Sequence, residues 1–412
     1  MDYSRGHHLM FGKVVTMLAR FQALDHALTA HAPLWRFQPF THLCLPWEAE
    51  RPGLTRWLRR LDGAAVAQLE ADPAALTAAL SDHLPEASTI HALGAVGPLT
   101  PVHGEVALVR DIDHRVPGRK WQQIRAFADC LPTSPHPYLE WCAGKGHLGR
   151  LLASRDGQSV ESLEIRPELC EAGARLAGRL AIPQRLHSVD VLGEAASGHL
   201  RPAQHAVALH ACGELHLRLL REASGVGVAR LSVSPCCYNL IPEPVYRPLS
   251  GPARDSELRL EQRHLRLPLQ ETVTAGRRVR RLRDREVDWR LGADLLQREI
   301  GGEDLYRPLP HFPKSLLNQR FEDFCRLAAA RWELDLPAGV DYARFQRAGR
   351  ERRLDISRME LVRHLFRRPL EIWLVLDRAL YLAEQGYRVR LGTFCEHHLT
   401  PRNLLIQAER AG

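Results

Sequence analysis

The first residues that could bind a ligand surround a short glycine-rich turn. Glu140 lies at the end of an apolar run, and the turn that follows contains Ala143, Gly144 and Gly146. Because glycine has no Cβ and tolerates positive φ, such a turn lets backbone N–H groups approach a ligand closely. The spacing is neither that of the dinucleotide fingerprint nor that of the Walker phosphate loop. A tight connection between a strand and a helix, which also needs glycine, is the alternative interpretation.

Further charged residues could complete the same binding site. Glu164 ends the second predicted strand, where a carboxylate can accept hydrogen bonds from both ribose hydroxyls of a nucleoside; a solvated acid that starts a loop is the alternative. Asp190 ends the third predicted strand and Val191 follows it, although aspartate is also an ordinary turn residue. Lys120 lies in a predicted helix over residues 118–131, and it could reach a carboxylate of the ligand if this helix folds over the site.

Residues capable of acid–base and nucleophilic chemistry follow the fourth and fifth predicted strands. His210 and Glu214 come after the fourth strand, and Cys236, Cys237 and Tyr238 come after the fifth. His210, Glu214 and Tyr238 are candidates for a general base, and one cysteine, with Cys236 as the candidate, for a thiolate nucleophile. The alternatives are a hydrogen-bonded core histidine at 210 and an acid at 214 that merely starts a helix, where the helix dipole favours it.

The cysteines do not predict a metal centre. Nine are scattered along the chain without Cys-x-x-Cys or zinc-finger spacing, and we expect reduced thiols that are mostly buried. Two adjacent cysteines, such as Cys236 and Cys237, cannot both point into one pocket if the backbone is extended. A zinc site that combines this pair with His210 and Cys212 has suitable ligand types, but its spacing fits no known zinc knuckle. No bound metal is therefore expected.

Alternating strands and helices must position these residues. The predicted strands begin at residue 138 and cover residues 159–165, 185–190, 205–211 and 229–234, and the helices between them cover 147–153, 167–180 and 214–223. This alternation predicts an α/β fold, in which helices cover both faces of a parallel sheet and ligands bind at the carboxyl ends of the strands. An apolar helix at 371–385 precedes strands at 387–394 and 403–408, and their short connection predicts an antiparallel pair.

Four regions are expected along the chain. They are a mainly helical N-terminal region (1–115, with helical spacing at 14–28 and 63–80), a sheet core (116–240), an arginine-rich and mainly helical insertion (241–369, with its clearest helix at 316–330) and a closing helix with a β-hairpin (370–412). The sequence assigns no role to the first of these regions.

Composition and charge favour a globular, basic protein. Hydrophobic residues make up 45% of the chain and charged residues 25%, which is usual for folded proteins. No apolar run is long enough for a membrane helix and the N-terminus lacks a signal-peptide pattern, so we expect a cytoplasmic location. A net charge of +8 and the arginine-rich segment 277–285 are compatible with an RNA partner. A solvated helix face explains that segment equally well.

Three motifs, taken together, resemble one branch of the class I S-adenosylmethionine-dependent methyltransferases. They are EWCAGKGHL (140–148), LHACGEL (209–215) and SPCCYNL (234–240). This methyltransferase-like branch has GKGHL, HxCGD and CCY motifs and includes the eukaryotic glutathione S-transferase C-terminal-domain-containing protein; the tRNA 2′-O-methyltransferases are similar but more distant. The segments LVLDRALYL (374–382) and LTPRNL (399–404) also resemble its closing part.

The resemblance covers about residues 118–240 and 370–408, with two departures from the pattern. Glu214 stands where relatives often have aspartate, and Cys142 stands where many methyltransferases have glycine. Both departures are mild, so the cofactor that the resemblance implies is unaffected. The acceptor cannot be carried over, because the branch is functionally mixed.

For the fold and the cofactor, the resemblance implies a seven-stranded Rossmann-like methyltransferase sheet, parallel with an antiparallel C-terminal strand, and S-adenosyl-L-methionine. It implies that Glu140 contacts the methionine end of the cofactor and that Asp190 contacts the adenine amine. The complete set of residues expected to bind the cofactor is Lys120, Glu140, Ala143, Gly144, Gly146, Glu164, Asp190 and Val191.

The reaction that the resemblance implies is transfer of the sulfonium methyl group by in-line displacement, which depends mainly on alignment of acceptor, methyl and sulfur. The residues expected around the methyl group are His210, Glu214, Cys236 and Tyr238. The cysteines are expected to form a semi-apolar wall and Tyr238 to contact the acceptor. The predicted acceptor is RNA, either tRNA or rRNA. A protein methyltransferase and a non-catalytic module of this fold that binds RNA or protein are the alternatives.

Overall fold

The computed structural model describes residues 3–103, 108–270 and 277–411 of the chain, with side chains described from residue 16 and, after the second gap, from residue 281. Seven strands form one sheet: β1 (Tyr138–Trp141), β2 (Val160–Glu164), β3 (Gln184–Ser188), β4 (His205–Cys212), β5 (Arg230–Cys236), β6 (Tyr387–Thr393) and β7 (Leu404–Arg410). Their order across the sheet is β3-β2-β1-β4-β5-β7-β6. Strands β1 to β5 are parallel, and β7 is antiparallel to both of its neighbours.

The strand sequences explain why the sheet is covered on both faces. All four residues of β1 are buried, and six of the seven in β5 are buried. Helices that connect parallel strands lie on both faces of the sheet, so both faces of these strands are buried. The predicted α/β fold, with five parallel strands and a closing antiparallel pair, is confirmed.

The rest of the described chain consists mainly of loops and α-helices. They are α1 (Tyr3–Ala30), α2 (Ala32–Trp35), α3 (Pro52–Arg60), α4 (Gly63–Ala71), α5 (Pro73–Ser81), α6 (Ala87–Leu93), α7 (Gly118–Asp129), α8 (His147–Asp156), α9 (Pro167–Arg179), α10 (Glu214–Val226), α11 (Gly251–Arg254), α12 (Arg277–Gly301), α13 (Phe321–Trp332), α14 (Tyr342–His364) and α15 (Arg367–Glu384). Within the described ranges, none of them is both long and apolar enough to cross a bilayer.

Several predicted elements differ from those that the structure shows. Strand β3 ends at Ser188, so Asp190 lies in the turn beyond it, whereas β5 continues through Cys236. The predicted helix at 316–330 is a 3-10 turn, Lys314–Asn318, followed by α13. The break has a local cause, because the Asp323 carboxylate accepts a hydrogen bond from the Arg320 N–H at 3.0 Å and thereby caps the start of α13.

The chain divides into two compact units, each built from distant segments. One comprises Met1–Thr29, Leu93–Val273 and Arg368–Gly412, and the other comprises Ala30–Ala92 and Thr274–Arg367. The first holds the sheet, with a core that includes Phe127 and Leu152, and the second has its own core around Trp289 and Phe324. These units cross the region boundaries that the sequence predicted.

Helix α15 is joined to the loop after β5 by a buried carboxylate. Asp377 has no exposed surface. It accepts hydrogen bonds from the Tyr246 hydroxyl at 2.6 Å, from the backbone N–H groups of Leu249 and Ser250 at 3.1 and 2.7 Å, and from the Ser250 hydroxyl at 2.8 Å. A buried charge needs such a set of donors, so this loop has one position against α15.

Candidate active site

The glycine-rich turn between β1 and α8 has an unusual backbone. Cys142, Gly144 and Gly146 have φ values of 58°, 60° and 68°. A Cβ on Gly146 would collide with the amide of Gln184, whereas a Cβ on Gly144 would enter open space. Gly146 is therefore favoured by its left-handed φ and by the position of the Gln184 side chain, and Gly144 leaves room beside a partly exposed stretch of backbone.

Glu164 closes over this turn from the end of β2. One of its carboxylate oxygens accepts a hydrogen bond from the Gly144 N–H at 2.9 Å, and the other accepts from the backbone N–H and the guanidinium of Arg166, each at 3.2 Å. The side chain is 7% exposed. Ala143 adds a backbone contact, because its N–H donates to the Leu163 carbonyl at 2.9 Å. The two predicted cofactor contacts, Gly144 and Glu164, thus touch each other.

Glu140 lies beneath the same turn. It is 4% exposed, and one of its oxygens accepts a hydrogen bond from the Ser162 hydroxyl at 2.8 Å. Burial raises the pKa of Glu140 to about 7, although the Ser162 and Gly149 hydrogen bonds and the charges of Arg150 and Lys120 oppose the shift. The influence of Lys120, an exposed residue of α7, places its ammonium group near this end of the sheet.

Asp190 and Val191 lie beside the turn but behave differently. Asp190 is exposed, and its carboxylate accepts a hydrogen bond from the Leu192 N–H at 2.9 Å. Burial raises the pKa of Cys142, and the negative charges of Glu164, Cys212 and Asp190 raise it further, in that order of size. Asp190 therefore lies at the same edge of the sheet as Cys142. Val191 is only 4% exposed, so little of it is accessible to a ligand.

His210 interrupts β4. Its φ is 62°, and the pairing with β5 shifts register between Leu209 and Ala211. The ring Nε2 lies 3.1 Å from the side-chain oxygen of Gln123 on α7. Burial lowers the pKa of His210, so the ring is neutral at pH 7 and can accept a proton.

Glu214 is the first residue of α10, which agrees with the alternative interpretation that it is an acid at the start of a helix. Its backbone N–H donates to the Leu240 carbonyl at 2.8 Å, and its carboxylate pairs with Arg221 on the same helix. It lines a cavity of about 190 Å³ together with Ile241 and Tyr246. Gly213 precedes it with a φ of 54°, and any Cβ there would collide with the Leu240 backbone.

The side chain of Tyr238 is not accessible at the carboxyl edge of the sheet, which corrects the expectation that it contacts an acceptor. It has no exposed surface, and its hydroxyl donates to the Glu371 carboxylate at 3.1 Å. The Arg378 guanidinium lies 5.4 Å from the centre of its ring. The left-handed residue before it, Cys237, turns the chain so that Tyr238 enters the core beside α15.

The adjacent residues Cys236 and Cys237 do not point to opposite sides of an extended backbone, contrary to the expectation from the sequence. Cys237 has a φ of 46°, so the backbone after β5 is not extended. Cys212, Cys236 and Cys237 bring their sulfur atoms together, and the Sγ atoms of Cys212 and Cys236 are 3.3 Å apart. Cys236 is 3% exposed, and hydrogen bonds from the other two thiols together with burial raise its pKa. Cys236 is therefore a poor nucleophile.

All nine cysteines are free thiols, as expected, but fewer are buried than predicted. Four are buried, four are partly exposed, and Cys44 is exposed. The partly exposed ones include Cys142, Cys212 and Cys237, which all lie at the carboxyl ends of strands.

One feature of the carboxyl edge of the sheet could not be predicted from the sequence. Cys142, His210 and Cys237 are non-glycine residues with positive φ, and they lie after β1, within β4 and after β5. Each such residue costs on the order of 1–3 kcal/mol, and residues of this kind cluster at functional sites. Gln123 and Gln184 were also missed, because an isolated glutamine in a helix or strand carries no recognisable motif.

Comparison with known proteins agrees with this geometry. Residues 119–244 match the model of a family described as a methyltransferase domain. A geranyl diphosphate C-methyltransferase from Streptomyces coelicolor A3(2) is 18% identical over 34% of this chain, with a TM-score of 0.26, and the chain spans 53% of its length. Magnesium protoporphyrin IX methyltransferase from Synechocystis PCC 6803 is 12% identical over 75% of this chain and 90% of its own, with a TM-score of 0.30.

An rRNA methylase from Streptococcus thermophilus is 13% identical over 29% of this chain and 71% of its own, with a TM-score of 0.23. These likenesses in structure concern the fold. Residues 119–244 are similar in sequence to a methyltransferase domain, and they contain the five parallel strands of the seven-stranded sheet.

Proposed function

We propose that the protein binds S-adenosyl-L-methionine at the carboxyl ends of β1, β2 and β3 and transfers its methyl group to an acceptor. The contact between Gly144 and Glu164 carries this proposal. It joins the glycine turn after β1 to an acid at the end of β2, beside the point where the strand order reverses from β1 to β4. In open α/β sheets, ligands bind at such a point.

The residues present fit this cofactor. The open space beside Gly144 admits a ligand against the backbone, and Glu164 presents a nearly buried carboxylate to hydroxyl groups. Lys120 supplies a positive charge that acts on Glu140, and such a charge would stabilise a carboxylate of the cofactor. When bound, the cofactor supplies an electrophilic methyl group on a sulfonium. The protein would align the acceptor with it, and we propose the neutral ring of His210 as the base that removes a proton from an acceptor that carries one.

The test compares Gly144→Asp with Gly157→Asp. Both glycines have left-handed φ, and Gly157 lies at the opposite end of α8. The two replacements therefore impose similar backbone strain, but only the first places a side chain and a negative charge at the candidate site. In calorimetry, we expect Gly144→Asp to weaken S-adenosylmethionine binding by at least about tenfold, equivalent to ~1.4 kcal/mol. Gly157→Asp should bind as the parent protein does.

Equal affinities for the two variants would contradict the proposed site. Absence of binding to the parent protein would favour a non-catalytic module of the same fold. Tritium transfer from labelled cofactor into a cell extract, followed by separate nuclease and protease digestion, then tests catalysis. Label that appears equally with Gly144→Asp would remove the proposed enzyme activity.

For the acceptor, we propose RNA. The support is the net charge of +8 and a group of exposed arginines at the start of α12, of which Arg281 and Arg285 line a cavity of about 650 Å³. The side chains of residues 277–280, the first part of the arginine-rich segment, lie outside the described residues. A protein acceptor would instead give label that protease removes and nuclease does not. A cytoplasmic location remains a prediction from the sequence.

A further inference from the structure

Three thiols meet at the carboxyl ends of β4 and β5. The sulfur atoms of Cys212, Cys236 and Cys237 all lie within 4.8 Å of one another. Cys212 and Cys236 are paired residues of neighbouring strands, and their sulfur atoms are 3.3 Å apart. We call these three residues the cysteine triad. Its members are buried or partly exposed, so bulk water does not surround them.

Two unusual backbone conformations create the triad. The left-handed His210 and the register shift beside it bring Cys212 opposite Cys236. The left-handed Cys237 then turns its side chain back towards the other two, which an extended backbone would prevent. Regular β4 and β5 strands would avoid both conformations. Strained backbone conformations of this kind persist only where the surrounding structure enforces them, and they cluster at functional sites.

The arrangement suits one soft cation. In tetrahedral zinc sites the Zn–S distance is about 2.3 Å, which places two ligand sulfurs roughly 3.8 Å apart. The triad sulfurs need to move only slightly to reach that spacing. Three thiolates would repel one another without a cation, whereas Zn²⁺ stabilises them and the charge of Arg402 lies close to Cys237.

We infer that Cys212, Cys236 and Cys237 bind one Zn²⁺ through three thiolates and leave its fourth coordination position open. Among the described residues, the group that could ligate here consists of these three. The charge of His210 acts on Cys237, but the Nε2 of His210 lies 3.1 Å from the side-chain oxygen of Gln123. Zinc sites with three protein ligands keep a position for water or substrate. This inference is independent of the proposed methyl transfer, because it concerns metal binding alone.

The test measures metal content and ligand type in the reduced, full-length protein. After purification from zinc-supplemented cells, elemental analysis should find one zinc per chain. Replacement by Co²⁺ should give a thiolate-to-cobalt charge-transfer band together with tetrahedral d–d bands. Cys212→Ser and Cys237→Ser should each lose the zinc and the tetrahedral spectrum. Cys395→Ser changes a partly exposed cysteine outside the triad and should keep both.

Circular dichroism of each variant keeps a folding defect distinct from lost metal binding, and Cys237→Ser is the main test because Cys237 is not fully buried. A folded Cys237→Ser variant with full zinc content would overturn the inference. Reduced parent protein that takes up neither Zn²⁺ nor Co²⁺ would also overturn the inference. Formation of a Cys212–Cys236 disulfide in air would not rescue it, because a disulfide requires no metal site. Added imidazole should shift the Co²⁺ spectrum, and an unchanged spectrum would contradict the open fourth position.

Discussion

Buried titratable residues in the sheet make the free energy of unfolding depend on pH. His205 is 1% exposed, its ring Nε2 lies 2.9 Å from the Ser232 hydroxyl, and its ring packs on Tyr138. Burial, with the charge of Arg230, lowers the pKa of His205 to about 3. Glu140 shows the opposite effect, because burial raises its pKa to about 7. These two residues therefore bias stability in opposite directions.

The signs of the two effects follow from proton binding. Between pH 6.5 and 3 the unfolded chain binds a proton at His205 that the folded chain does not, so stability falls as pH falls. Between pH 4.5 and 7 the folded chain holds a proton on Glu140 that the unfolded chain has released, so stability falls as pH rises. Each effect is limited to about 1.4 kcal/mol per pH unit.

Urea unfolding between pH 4.5 and 6.5 should separate these contributions. In His205→Asn, the loss of stability with falling pH should become shallower, by roughly 1 kcal/mol per pH unit. In Glu140→Gln, the dependence should change in the opposite direction. Parallel curves for the parent protein and both variants would show that neither buried group controls the pH dependence.

The sequence predicted which residues lie at the carboxyl edge of the sheet but not how they are oriented. Glu140, Gly144 and Glu164 follow from apolar runs that end in acids and from a glycine turn, because strand ends are readable from hydropathy. The burial of Tyr238 depends on a single dihedral angle at Cys237. Cysteine has no preference for positive φ, so composition could not reveal that turn or the cysteine triad.

At the scale of elements, Asp377 determines how α15 holds the loop that follows β5. Its carboxylate receives hydrogen bonds from Tyr246, Leu249 and Ser250. Glu384 lies on the same helix and accepts a hydrogen bond from the Gly251 N–H at 2.8 Å, but it is exposed. The two acids therefore make similar contacts with one loop in different dielectric surroundings.

Replacement of these two acids should have unequal effects. Asp377→Ala leaves buried donors without an acceptor, so we expect the free energy of unfolding to fall by about 3–5 kcal/mol. Glu384→Ala exposes its partner to water and should cost less than about 1 kcal/mol. Denaturant titration of both variants measures the difference. Similar losses would mean that burial does not set the strength of these contacts.

The periodic elements were predictable and the irregular ones were not. Strand β4 is largely apolar on both faces, and Pro167 marks the start of α9, so the positions of these two elements follow from the residues. The loop that Asp377 holds, at 246–250, has no period. Its structure depends on an acid 127 residues away, and such a pairing is invisible without coordinates.

At the scale of the whole molecule, the net charge of +8 should govern binding of RNA if RNA is the acceptor. Each phosphate contact makes affinity depend on salt. We expect the double variant Arg281→Ala/Arg283→Ala to lower the slope of log affinity against log salt by roughly 2, since each lost contact removes about 1. Filter binding at several salt concentrations measures this slope.

The control variant removes the same charge elsewhere. Arg175 and Arg247 have side chains that are 71% and 79% exposed, and each pairs with the glutamate four residues before it. Arg175→Ala/Arg247→Ala should therefore change the slope little, although the net charge is the same as in the first variant. Equal slopes for the two variants would assign the binding to overall charge, and a flat slope for the parent protein would argue against RNA.

The late position of β7 in the chain has a consequence for biosynthesis. β7 pairs with β5, although Arg230 and Glu409 are 179 residues apart. While the ribosome translates the intervening residues, the outer edge of β5 lacks its neighbour, and an unpaired strand edge can join to another nascent chain. During most of this interval, residues 119–244, which match the methyltransferase-domain model, have already been synthesised. We expect chains that stop in this interval to need chaperones or to aggregate.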